Sequence, residues 1–478
     1  MKVSLKRWLA KPIRTGDKAA PTLLEARVSN PRTISIAGAG LAGALLAVLL
    51  SQRGHRVRLY ERRSDMRRQE IAAGRSINLA LAARGIRALH AAGMHAAVAE
   101  DAIAMPGRMV HARDGSSEFF PYDVDGKRAI YSVHRARLNQ RLLDAAQAAG
   151  AEILFEHRVL DVALSERQLT VERGDGTREQ HAYSLLIGAD GAGSAVRNVL
   201  DHAHGCASSF APLAHSYKEL SMPAGADGGF VMAQHALHIW PRLSHMMIAL
   251  PNPDRSFTCT LFLPNEGATS FATLDSEDAV ASLFGRDFDD AIDTLPGYTR
   301  EFMNNPTGWL GTLDCPHWRW QDQVILLGDA AHAIVPFHGQ GMNCAFEDCI
   351  ELCDKLDQEL DLEAALAGFE SARRPNAKAI AEMAIENYRE MRDEVADPGF
   401  KQRKQWEKAL AHAFPGHFLP RYSLVSFTQM PYAEAQQRGV VQRQLIDALI
   451  SESYPVDFVQ PLRSRVEGSL QVLPAGLL

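Results

Sequence analysis

Thr33-Ile-Ser-Ile-Ala-Gly38-Ala-Gly40-Leu-Ala-Gly43 is the stretch of sequence that decides the fold. The apolar residues before Gly38 predict a short buried strand, and residues 41–53 predict a helix. In a GxGxxG turn, Gly38 permits the turn, Gly40 lets a pyrophosphate approach the backbone, and Gly43 lets the helix pack on the sheet. Residues 57–60 predict a second strand, and Glu61 at its end can accept hydrogen bonds from ribose hydroxyls. The chain therefore opens with a βαβ unit suited to a dinucleotide.

This motif leaves two alternatives open. It does not distinguish NAD from FAD, and a glycine-rich tight turn without a ligand has the same residues. Arg62 and Arg63 could face a 2′-phosphate, although exposed basic residues after a strand are the simpler interpretation. Thr33 to Gln52 also contains twenty residues without a charge, which is long enough for a membrane span. The three glycines interrupt that stretch, so a strand, a turn and a helix are predicted instead.

Composition narrows the class of protein. The chain has 478 residues, 46% hydrophobic and 23% charged, which is typical of a folded protein of about three domains. Its net charge of −6 provides no basic field for a polyanion, so no nucleic-acid partner is expected. Residues 1–30 are expected to be a disordered extension. We expect a soluble, cytoplasmic protein without a membrane partner.

The cysteines and one pair of adjacent carboxylates give little information about function. The six cysteines form no CxxC pair, so we interpret them as small buried side chains in a reducing compartment and expect no metal site. Glu347 and Asp348 could act as an acid/base pair, but adjacent carboxylates on a helix usually face solvent or cap charges, and that is the prediction here.

The pattern of strand-like and helix-like runs along the chain predicts three regions in the folded part. Residues 31–105, 124–205 and 315–375 are assigned to a discontinuous dinucleotide-binding domain, in which residues 76–92 are predicted to be mostly helical. Residues 106–123 and 206–314, rich in strand-like runs, are assigned to an antiparallel-sheet domain that binds substrate. Residues 376–478 are predicted to form a helical region that covers the substrate pocket.

Two later motifs refine the interpretation. Gly188-Ala-Asp190-Gly191 ends a predicted strand and starts a helix, and Gly328-Asp329-Ala-Ala-His332 follows the apolar residues 324–327. With GxGxxG, a DG motif and a GD motif in this order, the chain resembles the group A flavoprotein aromatic hydroxylases. That resemblance implies an α/β fold with a Rossmann-like FAD-binding domain interrupted by the sheet domain. It also selects FAD, bound non-covalently, as the cofactor.

The resemblance implies roles for the cofactor-binding residues. Asp329 would hold the ribityl chain of FAD, and the helix beginning near Gly341 would point at the flavin pyrimidine edge, where a helix N-terminus stabilises negative charge. Ala195 stands where animal members have a threonine, so only a backbone contact is expected there. The implied cofactor-binding residues are Gly38, Gly40, Ala42, Gly43, Tyr60, Glu61, Arg62, Arg63, Ala80, Arg135, Leu160, Asp190, Asp329, Gly341, Met342 and Asn343.

Six further segments, within a resemblance that runs from Thr33 to Arg443, are similar to the members of this family that hydroxylate kynurenine. These are Arg75-Ser-Ile-Asn-Leu-Ala80, Gly107-Arg-Met-Val-His111, Leu237-His-Ile-Trp-Pro241, Val335-Pro-Phe-His-Gly-Gln-Gly-Met-Asn343, Glu386-Asn-Tyr388 and Pro420-Arg-Tyr422. They imply that Arg108 and Tyr122, joined by Asn387 and Tyr422, bind the kynurenine carboxylate. A planar guanidinium can hold a carboxylate by two hydrogen bonds. The implied wall around the substrate ring consists of Leu237, Met246, Leu250, Phe262, Phe337 and His338.

The activity implied by the resemblance is conversion of L-kynurenine to 3-hydroxykynurenine, with NADPH and O2 as co-substrates and a C4a-hydroperoxyflavin as the oxygen donor. The aniline nitrogen of the substrate supplies the electron density, so no acid/base residue is expected. No second nucleotide motif assigns residues to NADPH. The likeness is to the bacterial form, without the C-terminal membrane anchor of the eukaryotic enzymes.

Two other functions stay open at the level of sequence. A hydroxylase of another anionic aromatic, such as a salicylate-like acid, would share the three flavin motifs without needing Arg108, Tyr122, Asn387 and Tyr422 together. A non-catalytic FAD-binding redox sensor would bind the cofactor but would not consume NADPH in the presence of a substrate.

Overall fold

The computed structural model describes residues 31–68, 78–123, 126–359, 361–391 and 398–477. The expected extension at residues 1–30 lies outside the described residues, as do residues 75–77 of the segment that ends at Ala80.

The strands of the described residues, in chain order, are β1 (Thr33–Ala37), β2 (Arg56–Glu61), β3 (Asn78–Leu81), β4 (Ile103–Met105), β5 (Gly107–His111), β6 (Ser117–Pro121), β7 (Ile130–His134), β8 (Glu152–Phe155), β9 (His157–Ala163), β10 (Gln168–Arg173), β11 (Arg178–Ala182), β12 (Leu185–Gly188), β13 (Ser209–Met222), β14 (Leu237–Arg242), β15 (His245–Pro251), β16 (Phe257–Pro264), β17 (Gly308–Asp314), β18 (Arg319–Trp320) and β19 (Val324–Leu326).

The α-helices are α1 (Leu41–Gln52), α2 (Ala83–Ala91), α3 (His95–Ala99), α4 (Arg135–Ala148), α5 (Ala195–His204), α6 (Glu277–Asp287), α7 (Tyr298–Asn304), α8 (Asp329–His332), α9 (Gly341–Gln358), α10 (Leu362–Arg389), α11 (Pro398–Ala413), α12 (Arg421–Phe427), α13 (Tyr432–Ser451) and α14 (Arg463–Ser469).

A six-stranded sheet carries the glycine motifs. Its order is β18-β19-β12-β1-β2-β8, and every pair is parallel except β18 with β19. The central strand β1 is buried because it has apolar residues on both faces and strands on both sides. The chain leaves β1 for β2 on one side and places β12 on the other. Ligands bind at such a switch point, outside the carboxyl ends of the strands. The predicted strand-turn-helix at Thr33–Gln52 is confirmed.

A second, seven-stranded sheet has the order β17-β13-β16-β15-β14-β5-β6. Its pairs are antiparallel except β5 with β14, which brings Arg108 opposite Leu237. Residues from both ends of the predicted sheet region therefore meet: β5 and β6 come early in the chain, and β13 to β17 come much later. One face of this sheet packs on α6 and α7 through an apolar core that includes Trp240, Phe257 and Phe284.

The prediction that residues 76–92 are mostly helical is wrong for its first part. Asn78–Leu81 is strand β3, which pairs antiparallel with β7 in the sheet β3-β7-β4, and the helix α2 begins only at Ala83. Alanine and leucine favour helices in isolation, but pairing with β7 and burial outweigh that local preference. A further sheet, β11-β10-β9, lies in the same half of the chain.

The C-terminal part is helical from α10 onward, as expected. Helix α10 has 28 residues and continues through Pro375, so the expected boundary between residues 375 and 376 falls inside one helix. Helices α10, α12 and α13 share an apolar core that includes Ile380, Leu424 and Tyr432. This core also contains Cys344 of α9, so the helical C-terminal region packs directly on α9.

None of the helices in the described ranges combines the length and the apolar character that a bilayer crossing requires.

Candidate active site

The three glycines of the first turn differ in what surrounds them. Gly38 has φ +98°, and a Cβ atom there would lie 2.4 Å from the carbonyl oxygen of Ala189 in the DG motif. A Cβ at Gly43 would lie 2.0 Å from the carbonyl oxygen of Gly38. At Gly40, by contrast, a Cβ would meet nothing within 4 Å. Open space therefore lies at the N-terminus of α1, where backbone N–H groups can bind phosphate oxygens.

Glu61 lies at the end of β2, beside this turn. Its carboxylate accepts hydrogen bonds from the backbone N–H of Ala39 (3.1 Å) and from Nε of Arg63 (2.8 Å). Burial disfavours the charged form, but the Arg63 and Ala39 donors outweigh it and lower the pKa of Glu61. Glu61 is therefore an ionised acceptor near the ribose position, and Arg63 is held by Glu61.

Asp190 of the DG motif caps helix α5. Its carboxylate accepts hydrogen bonds from the Ser194 hydroxyl (2.5 Å) and the Ala195 N–H (2.7 Å). Burial raises its pKa despite these donors. Arg197 then donates to the carbonyl oxygens of Ala192 (2.7 Å) and Ala330 (3.1 Å), which ties the DG turn to the GD turn.

The GD turn presents Asp329 to solvent at the start of α8, after the strand β19. Gly328 has φ +61°, and a Cβ there would lie 3.2 Å from the Cβ of Ala345 and 3.5 Å from that of Ala42. The turn thus packs closely against α1 and α9. An exposed carboxylate at this place suits a polyhydroxyl chain.

The start of α9 is fixed by Asn343. Its Oδ1 accepts the N–H of Ala82 (2.9 Å), and its Nδ2 donates to the carbonyls of Ala80 and Gly339 (2.8 Å each). The side chain of Asn343 is therefore engaged with backbone, and only its own peptide group stays available to a cofactor. Gly341 and Met342 form the first turn of α9, whose N–H groups lack intrahelical partners.

The other predicted cofactor residues have varied surroundings. The Tyr60 hydroxyl pairs with Nδ1 of His181 at 3.0 Å, so it faces the sheet β9–β11. Leu160 is half-buried on β9 of that sheet, Arg62 is exposed after β2, and Arg135 is exposed at the first position of α4. The structure brings together the three glycine motifs and Glu61, whereas Tyr60 and Leu160 are placed at one side. Open space at α1, an ionised carboxylate at β2 and the exposed Asp329 together fit FAD.

Asp348 does not face solvent. Both Asp348 and Glu347 pair with cationic side chains, which is the second of the two arrangements expected for adjacent carboxylates. Asp348 is fully buried and accepts hydrogen bonds from Nε2 of His332 (2.6 Å), Nε of Arg373 (2.7 Å) and the N–H of Gly328 (3.1 Å). Glu347 pairs with Arg373 (2.7 Å) and Arg84 (3.0 Å). Both arginines come from distant segments, so the residues around Glu347 and Asp348 in the sequence do not reveal these contacts.

The same place contains a grouping that the cysteine analysis missed. Ligand atoms of His332, Cys344 and Asp348 all lie within 4.8 Å of one another, which is close enough for a metal ion. The guanidinium of Arg373 already contacts Asp348 and the carbonyl of Cys344, so it supplies the positive charge there. Burial raises the pKa of the Cys344 thiol, which disfavours the thiolate that a metal needs.

The lowered pKa of Asp348 predicts that the free energy of unfolding decreases in acid. Burial opposes its charge, but His332 and Arg373 lower its pKa to about 2. Because this is below the value of about 3.9 in an unfolded chain, the stabilisation is complete above that value and disappears as the pH falls through about 2. The contribution is roughly 2 kcal/mol. Urea unfolding should show the stability difference between wild type and Asp348→Asn shrinking from pH 5 to pH 3, and a difference that is constant with pH contradicts the assignment.

The predicted carboxylate-binding residues do come together. We call Arg108, Tyr122, Tyr422 and His338 the Arg108 cluster. The guanidinium carbon of Arg108 lies 4.9 Å from the ring centroid of Tyr422 and 5.3 Å from that of Tyr122, and the two tyrosine rings are stacked at 5.0 Å. His338 stacks on the ring of Tyr422, with 5.2 Å between the two ring centroids. Strand β5 supplies Arg108, and helix α12 supplies Tyr422.

Three polar atoms of this cluster are buried without a hydrogen-bond partner among the described residues: Nε of Arg108, the hydroxyl of Tyr122 and Nδ1 of His338. Burial disfavours the charge of Arg108, yet neighbouring Tyr122, Tyr422 and Glu390 raise its pKa. A buried cation with an unused donor is the arrangement that a ligand carboxylate completes.

Apolar side chains adjoin the Arg108 cluster in two packed groups. Met246, Phe262, Phe337 and Leu237 belong to one group, where Phe262 and Phe337 have ring centroids 5.0 Å apart. Leu250, Ala80 and Tyr122 belong to the other, and Leu237 contacts both. The predicted ring-binding residues thus form one wall, which reaches the flavin motifs at Ala80.

Asn387 has a different role from the one expected. Its Nδ2 donates to the carbonyl oxygen of Phe337 at 2.6 Å and to Sδ of Met391 at 3.3 Å, so both N–H donors of the amide are used within the protein. The remaining Oδ1 is an acceptor, which cannot bind a carboxylate. Asn387 therefore fixes the position of the Phe337 backbone, and direct carboxylate binding by its side chain is not supported by this geometry.

His338 is neutral at ordinary pH. Burial, together with the positive charges of Arg421 and Arg108, lowers its pKa to about 3. It can exchange hydrogen bonds with a ligand but does not carry a proton as a cation.

Glu390 is a site residue that the sequence analysis missed. It follows Asn387 by one helical turn at the end of α10, and it is paired with Lys404 at 3.3 Å. Although burial favours its neutral form, Lys404, Arg108 and Arg421 lower the pKa of Glu390, so a negative charge lies beside the Arg108 cluster. In the sequence, Glu390 is marked only by its position three residues after Asn387. Because exposed glutamates on helices are common, this spacing does not indicate a site.

The fold and the site define a class. A sheet with GxGxxG at its switch point, DG and GD turns around it, and an enclosed cation beside an apolar wall are the parts of a flavoprotein oxidoreductase. A protein-family profile described as an FAD binding domain matches residues 32–384. FAD is therefore the cofactor of this protein class.

Two curated relatives bear the same name. Kynurenine 3-monooxygenase of Stenotrophomonas maltophilia (strain K279a) is 46% identical over 446 residues, covering 92% of this chain and 98% of that protein. Kynurenine 3-monooxygenase of Xanthomonas campestris pv. campestris (strain 8004) is 48% identical over 420 residues, covering 87% of this chain and 92% of that protein. The chain belongs to the kynurenine 3-monooxygenase family, and the resemblance to the flavoprotein aromatic hydroxylases is confirmed.

Solved structures agree at the level of fold. The tetrameric form of 2-methyl-3-hydroxypyridine-5-carboxylic acid oxygenase has a TM-score of 0.63 at 22% identity, covering 78% of this chain and 96% of that chain. Pseudomonas aeruginosa PqsL in complex with 2-aminobenzoylacetate has a TM-score of 0.61 at 25% identity, covering 76% and 97%.

Proposed function

We propose that this protein hydroxylates L-kynurenine to 3-hydroxykynurenine, consuming NADPH and O2 with bound FAD. The observation that carries the proposal is the buried Arg108 with its unused Nε, beside the stacked rings of Tyr122 and Tyr422 at the edge of the apolar wall. PqsL supports the substrate class, because 2-aminobenzoylacetate, like kynurenine, combines an ortho-aminophenyl ketone with a carboxylate.

Arg108 binds the substrate carboxylate in this proposal. Nε of Arg108 and the Tyr122 hydroxyl have no hydrogen-bond partner of good geometry among the described residues, so a carboxylate can accept hydrogen bonds from both. The stacked rings of Tyr122 and Tyr422 both lie beside the guanidinium, with centroids 5.3 Å and 4.9 Å from its carbon. Charge and shape are then matched before the ligand arrives, which reduces the entropic cost of binding.

Glu390 would bind the α-ammonium group of the amino acid. A zwitterionic ligand needs a carboxylate partner as well as a cation, and Glu390 is the ionised acid beside Arg108. Oδ1 of Asn387, one turn away, would be a second acceptor for the same group. A salicylate-like acid has no ammonium group and would leave Glu390 facing a carboxylate.

The apolar wall orients the aromatic ring. Phe262 and Phe337 supply flat faces, while Leu237 and Met246 fill the space beside them. Holding the ring carbon next to the aniline nitrogen towards the flavin is the main task of the protein, since the amine already enriches that carbon in electrons. The C-terminal helices, through Tyr422 and Asn387, cover this wall and keep water out.

Bound FAD supplies the redox chemistry, accepting electrons from NADPH and delivering one oxygen atom of O2 to the ring. His338, neutral above about pH 3, offers hydrogen bonds only.

Steady-state turnover separates the proposal from its rivals. Kynurenine should accelerate NADPH oxidation and appear as hydroxylated product, with salicylate as the matched anionic aromatic. Faster turnover of salicylate would favour the hydroxylase of another acid. Reduction of bound flavin that no aromatic compound accelerates would favour a redox sensor.

Asp329→Ala tests the cofactor site. We expect FAD affinity to fall about tenfold, the scale of one hydrogen bond to a charged group, while the fold is recovered with excess FAD. The measurement is FAD retained after gel filtration, with exposed Asp322→Ala as the control. Full FAD retention in Asp329→Ala would remove Asp329 from the cofactor site.

A further inference from the structure

Glu347 and Asp348 are adjacent on α9 and share the partner Arg373, and each carboxylate also contacts a second, separate segment of the chain. We call Arg84, Glu347, Arg373 and Asp348 the charge chain. Arg373 joins the two carboxylates, with Nε 2.7 Å from Asp348 and Nη1 2.7 Å from Glu347. Arg84 continues from Glu347, with Nε at 3.0 Å. All four side chains are wholly or largely buried.

One end of the charge chain holds the flavin-binding turn. Asp348 accepts the N–H of Gly328 and the Nε2 of His332, the two ends of the turn that presents Asp329. Since one carboxylate binds both ends, the shape of this turn depends on where Asp348 lies. Arg373 in turn holds Asp348 in place.

The other end holds the helix that carries Tyr422. Arg84 donates from Nη1 to the carbonyl of Val425 and from Nη2 to the carbonyl of Met430, and so grips the C-terminal half of α12 and the segment after it. Its guanidinium carbon lies 3.8 Å from the ring centroid of Tyr432, whose hydroxyl donates to Gln340 just before α9. Ser423 of the same helix donates to the carbonyl of Tyr122 at 3.3 Å.

We propose that Arg84 is a positioning residue for substrate binding. It acts through α12: by holding the Val425 and Met430 carbonyls, it fixes the Tyr422 ring against Tyr122 and Arg108. Through Glu347 and Arg373 the same cation is tied to the turn that holds FAD. The charge chain thereby fixes the position of helix α12, which carries Tyr422, relative to the turn that presents Asp329. This inference rests on the proposed function for its substrate.

An apolar side chain in place of Arg84 could fill the same volume, but it could not fix the position of α12 relative to the turn that presents Asp329. A buried ion pair gives little net stability, and its benefit is specificity of position. Here one guanidinium satisfies two backbone carbonyls and one carboxylate at once, which a single geometry allows. Lysine keeps the charge but lacks the planar fork.

The experiment uses the FAD-loaded full chain and the variants Arg84→Met, Arg84→Lys and Glu347→Gln. The matched control is Arg438→Met, because Arg438 also donates to two carbonyls of the C-terminal region, those of His417 and Gln471, but does not contact the charge chain. Hydrogen exchange of the amides at residues 421–427 reports on α12 without substrate. Kynurenine titration of the flavin absorbance reports on the site.

We expect faster exchange at residues 421–427 and about tenfold weaker kynurenine binding in Arg84→Met, with a partial effect in Arg84→Lys. Arg438→Met should change neither. Wild-type exchange and affinity in Arg84→Met overturn the inference, as does an equal loss of affinity in Arg438→Met. If Arg84→Met does not fold, Arg84→Lys and Glu347→Gln decide by the same two measurements.

A double-mutant cycle tests whether Arg84 acts through Tyr422. If it does, Arg84→Met should weaken kynurenine binding much less in a Tyr422→Phe background than in wild type. Fully additive losses overturn that route. Should wild-type protein fail to bind kynurenine, the proposed function fails, and exchange at residues 421–427 still decides whether Arg84 holds α12.

Discussion

In an Arg108→Met variant, we expect kynurenine to bind about ten- to a hundredfold more weakly while FAD content is unchanged. The loss corresponds to about 1.5–3 kcal/mol, the scale of a hydrogen bond to a charged group. Arg108 stands on β5 of the seven-stranded sheet, whereas the glycine motifs stand on the other sheet, so cofactor binding should not depend on it. Titration of the flavin absorbance with kynurenine measures the effect.

Arg108→Lys should recover only part of this affinity, because an ammonium cannot present two parallel donors as a planar guanidinium does. Arg113→Met is the matched control: Arg113 lies beyond β5 and pairs with Asp287 at 2.5 Å, away from the cluster. Wild-type kynurenine affinity in Arg108→Met would reject Arg108 as the carboxylate-binding residue.

Combining Asn387→Ala with Tyr422→Phe should weaken kynurenine binding by about 2 kcal/mol, near thirtyfold, and uncouple NADPH oxidation from hydroxylation. Asn387→Ala releases the Phe337 backbone, and Tyr422→Phe removes the hydroxyl beside Arg108. FAD should be retained because the three flavin motifs precede both residues. Hydrogen peroxide released per NADPH should rise, since a looser wall admits water.

The measurement pairs product by chromatography with peroxide by a coupled assay, at matched flavin content. Asn376→Ala serves as the control, since Asn376 is on the same helix but contacts Ala372 and Ala433. Wild-type affinity and coupling in the double variant would mean that the C-terminal helices do not form the site.

Local patterns predicted the cofactor half of this protein well. Glycines at fixed spacing between a strand and a helix are required by close backbone approach, as the 2.4 Å contact at Gly38 illustrates. Such constraints are written within a few residues of sequence. The strand-turn-helix at Thr33–Gln52 followed from them.

Long-range contacts account for what the sequence could not predict. Asp348 is buried because Arg373 and the Gly328 N–H surround it, and β3 is a strand because β7 pairs with it. Asn387 was expected to bind the carboxylate, but the carbonyl of Phe337, fifty residues away, takes its amide nitrogen. Glu390 became visible only when the fold placed its charge beside Arg108.

The most direct test of the central claim is the product formed from kynurenine, NADPH and isotopically labelled O2 by the FAD-loaded protein. We predict 3-hydroxykynurenine that carries one labelled oxygen atom, in an amount that approaches the NADPH consumed. NADPH oxidation that yields only hydrogen peroxide, with kynurenine recovered unchanged, would contradict the proposal that this site hydroxylates kynurenine.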